Sequence, residues 1–545
     1  MKNFIFCSRK CLALTSTLLL ALVLSINVYS QSTSIFGDFP FQNSFLSTAQ
    51  PSYITVASNP NTVQFTMDGI QLTKNQTNQF GGVFFNDRKF SSANGIIVEF
   101  EYMMYGGGAN GGDGMSLFLF DADASANPTI GAAGAALGYN YNSGTDGTRK
   151  GLTGAYLGVA LDAYGNHKQL RFEGVSNQAG IPFAGTTHGA SVENPVEAAY
   201  NQNDNIVLRG AKNGPLEAWR EITQETRKLE EGYTGYPVLI SQSTSGGRGV
   251  IKKDDKTGDY IPLTPAYNGN RFKISGNGTF SSSDDVNYRK AIVELFPAKV
   301  EDGGGFYVTV SIKHNTGTDV IIEDYHYKEK FYYKENIMLY SKYSGAIDKV
   351  QPSFELNAKV PDWLRIGFAA STGAATNINV VKNVHIMLPR AAEAYNDSTT
   401  INPVQTAELS PFINDIAYEG IIRRDQTGSS ANINPDSFRF MDNGTIISVN
   451  PGDTFIERTV AGQGTWKYYP ATNKVTFTPV AGFKGTASIK YNIKGKKDNT
   501  PQAGPYDDEA YRSLYADLIV NVDENYQPPK TTMITNRMVT NRLFN

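Results

Sequence analysis

The sequence predicts an all-β protein, with a large sandwich of antiparallel sheets followed by a smaller Ig-like β-sandwich. Apolar or alternating runs of about five to eight residues recur between positions 36 and 388, and such runs are typical of strands. The 52 glycines, 30 tyrosines and 30 phenylalanines suit strands joined by long polar loops. A second series of alternating runs, separated by proline and glycine turns, begins near residue 411.

The clearest strands of the first part share two features. Each is apolar throughout or alternates apolar with polar residues, and each has turn residues on both sides. Their spacing favours antiparallel sheets packed face to face. These segments are Gly95–Tyr102, Met115–Phe120, Ala155–Asp162, Ala291–Phe296, Gly305–Lys313, Leu364–Ala369 and Val380–Met387.

The first 30 residues have the pattern of a secretory signal peptide. A basic start precedes the apolar stretch Cys11–Leu24, and Ser30 is a small residue suited to cleavage. A membrane anchor is the alternative, but polar residues interrupt this stretch and no later segment is apolar enough to span a bilayer. The two cysteines, Cys7 and Cys11, both lie in this leader, so we expect an exported chain without disulfides.

Composition and pattern also predict domain boundaries and partners. The formal net charge is -3, and no basic patch with interleaved aromatics is present, which argues against nucleic acid. The strand pattern weakens in the middle of the first domain, where we expect an insertion at one end of the sandwich with one helix candidate, Leu216–Glu231. We predict a signal peptide (1–30), a first domain (31–390) with its insertion (about 174–290), a polar linker (391–410), a second β domain (411–523) and a flexible tail (524–545).

Two short motifs each place a carboxylate at the end of an apolar strand. Asp113 stands between two glycines before one strand, and Asp162 ends another, with Tyr164 and Asn166 at alternate positions after it. The Asp162 carboxylate, the Tyr164 carbonyl and the Asn166 amide oxygen are ligand types that calcium takes. The alternatives are a simple Asp-Gly hairpin turn at Asp113 and a Tyr-Gly-Asn turn after Asp162.

Residues from about Phe36 to Leu388 resemble an L-type (legume-like) lectin domain, whose fold is the concanavalin-like jelly-roll sandwich. Four stretches carry the resemblance, and they occur in the family's order. They are Gly112-Asp113-Gly114 (first sugar loop), Gly134–Tyr139 (glycine-rich second loop), Leu161–Asn166 (metal and sugar loop) and Arg365–Gly373 (strand and start of the fourth loop).

The resemblance implies a glycan site assisted by calcium. Asp113, after a cis peptide bond, would accept hydrogen bonds from two sugar hydroxyls, and such charge-assisted bonds are strong. The Tyr164 ring would stack on the sugar, and the Asn166 amide would donate to it. The implied sugar-binding residues are Asp113, Gly134, Ala135, Tyr164, Asn166, Gly373, Ala374 and Ala375, and the implied calcium ligands are Asp162, Tyr164 and Asn166. Plain turn glycines are the alternative at Gly134 and Gly373.

The metal loop departs from the family at two points. The family often has Glu two residues before the metal-loop Asp, where this chain has Ala160, so we predict no transition-metal site. The second acidic calcium ligand is also missing near Asn166, because the nearest acid, Glu173, resembles part of the next strand. Calcium would therefore be bound weakly, with help from the insertion, or not at all.

The second domain resembles a bacterial surface repeat of the CshA-type or cadherin-like kind. The residues that carry this resemblance are Ile433–Phe438, Gly464–Lys467 and, above all, Val475–Thr486 with its proline and Gly-Phe-x-Gly turns. Such domains act as stalks or adhesive modules. Cadherin-style acidic ligands are not evident, and Asn414-Asp415 is the nearest candidate.

The sequence favours a binding protein over an enzyme. Glycoside hydrolysis needs two carboxylates roughly 5–10 Å apart, and the alternating pair Glu99 and Glu101 is expected to face solvent. The five histidines are scattered and expected at the surface. We therefore predict a secreted or cell-surface, calcium-assisted lectin or adhesin that binds glycans, with no catalytic residues. A surface scaffold that has lost sugar binding is the alternative, and a glycoside hydrolase is third.

Overall fold

A computed structural model describes the chain in segments. They are residues 36–57, 62–108, 111–140, 151–167, 203–212, 236–245, 250–252, 260–263, 269–315, 317–334, 337–340, 347–350, 353–418, 427–496 and 508–527. The chain divides into two compact units, Met1–Ser34 and Ile35–Asn545, and the described residues belong to the second. The predicted signal peptide, the helix candidate Leu216–Glu231, Glu173, His188 and most of the predicted tail lie outside the described residues.

The described residues form 31 strands and a few short 3-10 helices. No helix among them is long and apolar enough to cross a bilayer. The strands are β1 (Phe41–Asn43), β2 (Ile54–Val56), β3 (Gln64–Thr66), β4 (Gly69–Thr73), β5 (Phe80–Phe85), β6 (Phe90–Ser91), β7 (Ile96–Tyr105), β8 (Gly114–Asp121), β9 (Ala155–Asp162), β10 (Asn205–Arg209), β11 (Val238–Ser243), β12 (Val250–Lys252), β13 (Tyr260–Pro262), β14 (Arg289–Pro297), β15 (Phe306–His314), β16 (Gly317–Tyr327), β17 (Lys330–Lys334), β18 (Ile337–Tyr340), β19 (Ile347–Val350), β20 (Ser353–Asn357), β21 (Trp363–Ser371), β22 (Ile378–Met387), β23 (Asp397–Ile401), β24 (Ala407–Leu409), β25 (Arg439–Asp442), β26 (Thr445–Ser448), β27 (Ile456–Val460), β28 (Gly464–Tyr469), β29 (Lys474–Pro479), β30 (Gly485–Asn492) and β31 (Ala516–Val522).

Two antiparallel sheets form the larger sandwich. One sheet has the order β16-β15-β14-β7-β22-β4-β3, with β1 also paired to β22. The other has the order β13-β12-β11-β10-β9-β8-β21-β5-β2, with β6 also paired to β21. Their facing sides share one buried apolar core, which includes Val98, Leu117 and Leu161 and supplies the main hydrophobic stabilisation. The architecture confirms the predicted all-β fold with a large sandwich of antiparallel sheets.

The ten-stranded sheet is covered on its outer face as well, and this explains its sequence pattern. β8 and β9 are buried along almost their whole length, whereas residues of β7 alternate between buried and half-buried. Tyr139 and Leu152 pack on Phe118 and its neighbours outside the sheet. A Cβ added to Gly158 would lie 2.7 Å from the Tyr139 ring, so this strand needs glycine there.

Strands β10 to β13 lie within the predicted insertion and extend the ten-stranded sheet. β10 pairs with β9, which places Asn205 opposite Asp162, and β11 pairs with β10. This differs from an insertion at one end of the sandwich. β10 is only five residues long, and a run of that length between polar stretches gives little periodicity from which to recognise a strand.

The smaller sandwich consists of a five-stranded sheet, β23-β31-β30-β25-β26, and a four-stranded sheet, β24-β29-β28-β27. In its core the Phe438 ring stacks between Tyr468 and Tyr491, at centroid distances of 3.9 and 5.2 Å. β23 and β24 fall in the range predicted as a polar linker (391–410), where the structure differs. β23 pairs in parallel with β31, and its polar sequence reflects a sheet edge with few buried residues.

Candidate functional site

Asp113 lies at the start of β8, where three loops of the larger sandwich meet. Its side chain is buried. Its backbone N–H donates to the Ser371 carbonyl at 2.7 Å, and its carbonyl accepts from the Tyr164 N–H at 3.0 Å. The Gly112–Asp113 peptide bond is cis, as the resemblance implies. The first predicted sugar loop is therefore joined by main-chain hydrogen bonds to the metal loop and to the strand before the fourth loop.

Glycine positions show how closely these loops approach one another. A Cβ added to Gly112 would lie 2.8 Å from the Ala375 Cβ and 3.4 Å from the Tyr164 Cβ. A Cβ added to Gly373 would lie 3.3 Å from Oδ1 of Asp113. The Asp113 carboxylate thus faces a glycine in the fourth loop, and Ala374 lies between Gly373 and Ala375 in that loop.

Asp162 is fully buried at the end of β9 and organises the metal loop. Its Oδ1 accepts the Gly165 N–H and its Oδ2 accepts the His167 N–H, each at 2.9 Å. Oδ1 of Asn166 is buried and has no hydrogen-bond partner among the described residues. Because buried amide oxygens normally have a partner, this oxygen is suited to accept one from a ligand or an ion.

The glycine-rich second loop forms a short 3-10 turn, Gly134–Ala136, that is held at three points. The Gly134 N–H donates to Oγ of Ser371 at 2.7 Å. Nδ1 of His167 lies 2.6 Å from the Ala135 carbonyl. Oγ of Ser116 donates to the Leu137 carbonyl at 2.6 Å. Of the predicted sugar residues, Gly134 is therefore tied to β21, and Ala135 is tied to His167, which directly follows the metal loop.

His167, Arg209 and Ser371 hold these loops together, and the sequence pattern assigned no role to them. The prediction of surface histidines is wrong for His167, which is fully buried, and for His314, which is 3% exposed. Burial lowers the pKa of His167 well below its ordinary value, and the nearby Arg209 charge lowers that pKa further. His167 follows Asn166 directly, and that adjacency was the one signal that could have drawn attention to it.

Asp204 brings a second acid close to Asp162, from within the range predicted as an insertion. Its N–H donates to the Ala163 carbonyl at 3.2 Å, and its Oδ1 accepts the Ile274 N–H at 3.1 Å. Burial raises the pKa of Asp204 to about 6, and the Asp162 charge contributes to the rise. Sequence spacing could not find this residue, since 41 positions separate it from Ala163 along the chain.

The oxygen donors of this loop are of the types that a hard cation such as calcium takes, with few acidic ligands among them. Asp162, the Tyr164 carbonyl and the buried Asn166 oxygen supply the oxygen types that calcium takes. Among the residues that the structure describes, no group of three or more His, Cys, Asp or Glu side chains could hold a metal. A calcium ion at this loop would therefore rely on carbonyl and amide oxygens as much as on charge.

The alternating pair Glu99 and Glu101 lies on β7 of the other sheet, away from these loops. The expectation that both face solvent is wrong, because their side chains are only 17% and 18% exposed. Glu99 forms an ion pair with Lys290, while Glu101 accepts from Tyr288 at 3.1 Å and Asn383 at 2.8 Å. Both carboxylates are therefore held by an ion pair or hydrogen bonds to neighbouring strands and loops.

Comparisons with known proteins identify similar solved structures but no similar sequences. No family model and no curated protein sequence matches it. One similar solved structure is the VIP36 exoplasmic/lumenal domain in its Ca2+/Man3GlcNAc-bound form, at 10% identity, covering 64% of this chain and 90% of that chain with a TM-score of 0.29. A second is peanut lectin with a 9mer peptide, at 14% identity, 64% and 96% coverage and a TM-score of 0.28. A third is basic winged bean lectin with Tn-antigen, at 10% identity, 64% and 96% coverage and a TM-score of 0.30.

Proposed function

We propose that this protein binds carbohydrate at the junction of the three loops around Asp113. The observation that carries the proposal is the position of Asp113. Its carboxylate is buried and faced by Gly373, and its backbone is hydrogen-bonded to the metal loop and to the end of β21. A fixed carboxylate beside a small residue suits a sugar, since it accepts hydrogen bonds from adjacent hydroxyls while the glycine leaves room for the ring.

The surrounding residues would complete the sugar site. The half-exposed Tyr164 offers an aromatic face for the apolar side of a sugar. The Asn166 amide nitrogen would donate to a hydroxyl. The turn at Gly134 and Ala135 would present the Ala135 N–H, since the Gly134 N–H already donates to Ser371. Gly373, Ala374 and Ala375 would border the pocket and, by their small size, set which sugars fit.

Calcium would assist this site through Asp162, the Tyr164 carbonyl and Asn166. When bound, the ion would supply a positive charge that fixes these oxygens and polarises the Asn166 amide. The alternative is a surface scaffold without sugar binding. One observation favours it, because backbone N–H groups already satisfy both Asp162 oxygens and hold the loop folded.

We further propose that the protein acts outside the cell, secreted or attached to a surface, as an adhesin whose partners are glycans or glycoconjugates. The predicted signal peptide and the absence of cysteine after Cys11 support export. The second sandwich, with its resemblance to bacterial surface repeats, would serve as a stalk or a second adhesive module.

A glycan array of the wild-type chain and Asp113→Asn tests the proposal. The substitution keeps the size of the side chain but removes its charge, so we expect roughly tenfold or greater loss of glycan signal. Asp302→Asn is the matched control, because Asp302 is an exposed carboxylate in a turn of the other sheet. No glycan signal from well-folded wild-type protein would favour the scaffold, and release of reducing ends from a polysaccharide would favour a hydrolase.

A further inference from the structure

His167 makes contact with three segments around the proposed site, and it does so with three different groups. Its backbone N–H donates to Oδ2 of Asp162, within the metal loop. Its carbonyl accepts from Arg209 on β10. Its imidazole Nδ1 lies 2.6 Å from the Ala135 carbonyl, in the glycine-rich turn. One buried residue therefore connects the metal loop, the second sugar loop and the neighbouring strand.

The geometry fixes the tautomer of this imidazole. A carbonyl oxygen only accepts hydrogen bonds, so Nδ1 carries the hydrogen that it donates to Ala135. Nε2 of His167 is buried and has no hydrogen-bond partner among the described residues. The bond to Ala135 is thus the one polar contact described for the ring, and a change of side chain removes it without touching the two backbone bonds.

Arg209 holds the other end of His167. Its Nε and Nη2 lie 3.0 and 2.5 Å from the His167 carbonyl, and its Nη1 lies 2.7 Å from the Tyr236 carbonyl. Arg209 is only 7% exposed. A buried guanidinium that donates to one carbonyl through two nitrogens restricts the movement of that carbonyl, so the main chain of His167 is a rigid base for its ring.

We propose that His167 is a positioning residue, which sets the place of the Ala135 turn relative to Asp113 through its Nδ1–H bond. The inference rests on the proposed function for its meaning in glycan binding. Ser371 and Ser116 hold the turn at Gly134 and Leu137, and the His167 bond holds the residue between them. Groups of a binding site must be held within about 0.5 Å of their productive positions, and neighbouring contacts supply that support.

The test compares three substitutions at His167 in the full chain. His167→Phe keeps a ring but has no donor. His167→Asn presents an amide N–H close to the place of Nδ1, whereas the amide of His167→Gln reaches toward the place of Nε2. His326→Phe is the matched control, because Nε2 of His326 also bonds a carbonyl, that of Gly304 at 3.0 Å, but on the eight-stranded sheet.

Amide hydrogen exchange measures the stability of the Ala135 turn in the absence of a ligand. The Leu137 and Tyr139 amides report on it, because they donate to the Gly134 and Ala136 carbonyls. We expect His167→Phe and His167→Gln to accelerate their exchange roughly tenfold, and His167→Asn to restore most of the protection. Unchanged exchange in His167→Phe would overturn the proposal, and so would equal acceleration in Asn and Gln. If His167→Phe does not fold, the comparison of Asn with Gln decides.

Retention on agarose beads that carry α-mannosyl or α-N-acetylgalactosaminyl groups provides the second reading. We expect retention to follow the exchange order, with wild type and His167→Asn above His167→Gln and His167→Phe, and His326→Phe equal to wild type. Wild-type protein that binds neither bead would count against the proposed function, while the exchange result would still decide the role of His167. Retention by His167→Phe equal to wild type would contradict the positioning role.

Discussion

Two aspartates, one in each sandwich, are both fully buried, yet their surroundings differ in kind. Asp162 accepts one backbone N–H on each carboxylate oxygen. Asp415 accepts the Tyr395 N–H, but both of its oxygens also lie within 3.0 Å of the Tyr491 hydroxyl. The Asp162 carboxylate is paired with backbone N–H groups. The Asp415 carboxylate depends on the Tyr491 hydroxyl, which also lies close to other acceptors.

The Tyr491 hydroxyl has too few hydrogens for its neighbours. It lies 2.9 Å from the Tyr395 carbonyl and 3.3 Å from Oδ2 of Asp397, in addition to its contacts with Asp415. A hydroxyl donates one hydrogen, so a proton on a carboxyl group relieves the cluster. Burial raises the pKa of Asp415 to about 7 and that of Asp397 to about 6. Two equally buried aspartates therefore differ, because backbone N–H groups hold Asp162 while the cluster around Asp415 favours an added proton.

The largest expected effect on the free energy of unfolding comes from removing the Asp162 carboxylate. Asp162→Ala leaves the Gly165 and His167 N–H groups without their acceptor in a buried loop. We expect a loss of roughly 2–4 kcal/mol in the free energy of unfolding of the larger sandwich, measured by chemical denaturation. Asp302→Ala serves as the control, and a loss below about 0.5 kcal/mol for Asp162→Ala would show that its bonds to the loop contribute little.

The next effect concerns pH in the smaller sandwich. Because the folded-state pKa values of Asp415 and Asp397 exceed the ordinary value near 4, the folded state binds more protons than the unfolded state between about pH 4 and 7. Stability from protonation is therefore complete at the acid end and falls as pH rises through this window. We expect a fall of about 2–3 kcal/mol, less than the two pKa values would give separately, because solvent screens the partly exposed Asp397 and one proton relieves both acids. Denaturation followed by fluorescence of the buried Trp466 measures it in a chain whose other tryptophans, Trp219 and Trp363, are replaced by Phe. Asp415→Asn should flatten the dependence. A pH-independent wild-type profile would contradict this reading.

Calcium should stabilise the larger sandwich and leave the smaller sandwich unchanged. At about 10 mM calcium and a dissociation constant in the range of roughly 0.1–1 mM, mass action stabilises the folded state by about 1–3 kcal/mol. We expect thermal melting of the larger sandwich to rise with calcium and to fall with chelator, and the smaller sandwich to be unaffected. Asn166→Ala should abolish the response. Identical melting with calcium and with chelator would remove the ion from the proposed site.

The smallest expected change in the free energy of unfolding comes from an exposed ion pair. The Lys490–Asp517 ion pair of the smaller sandwich spans 3.1 Å, with side chains 45% and 34% exposed. Such pairs contribute little, so Lys490→Met should change the free energy of unfolding by less than about 0.5 kcal/mol. A loss comparable to that of Asp162→Ala would mean that burial does not separate strong from weak polar contacts in this protein.

The sequence predicted the elements whose pattern is local. All seven strands proposed from alternating or apolar runs are present, including Ala155–Asp162 with unchanged bounds, because periodicity and burial act on neighbouring residues. β10 and β23 were not foreseen, since β10 has only three apolar residues between polar ends and β23 is polar with mixed burial at a sheet edge. Their partner strands decide their structure.

The site shows the same division between local and long-range causes. Asp113, Tyr164 and Asn166 were proposed from motifs of a few residues, and their roles remain predictions. The burial of His167 was not, because it arises from Ala135 and Arg209, which lie 32 and 42 positions away along the chain. Asp204 was missed for the same reason. The roles of His167 and Asp204 depend on contacts with residues far away along the chain, and a single sequence does not show which distant residues are in contact.

The central claim is that the loops carrying Asp113, Ala135 and Tyr164 together bind a glycan. Hydrogen exchange of the wild-type chain, with and without the glycan that gives the strongest array signal, tests it most directly. We predict added protection at the amides of these three loops and unchanged exchange in the smaller sandwich. Protection confined to the smaller sandwich, or none at the three loops while the glycan is bound, would contradict the claim.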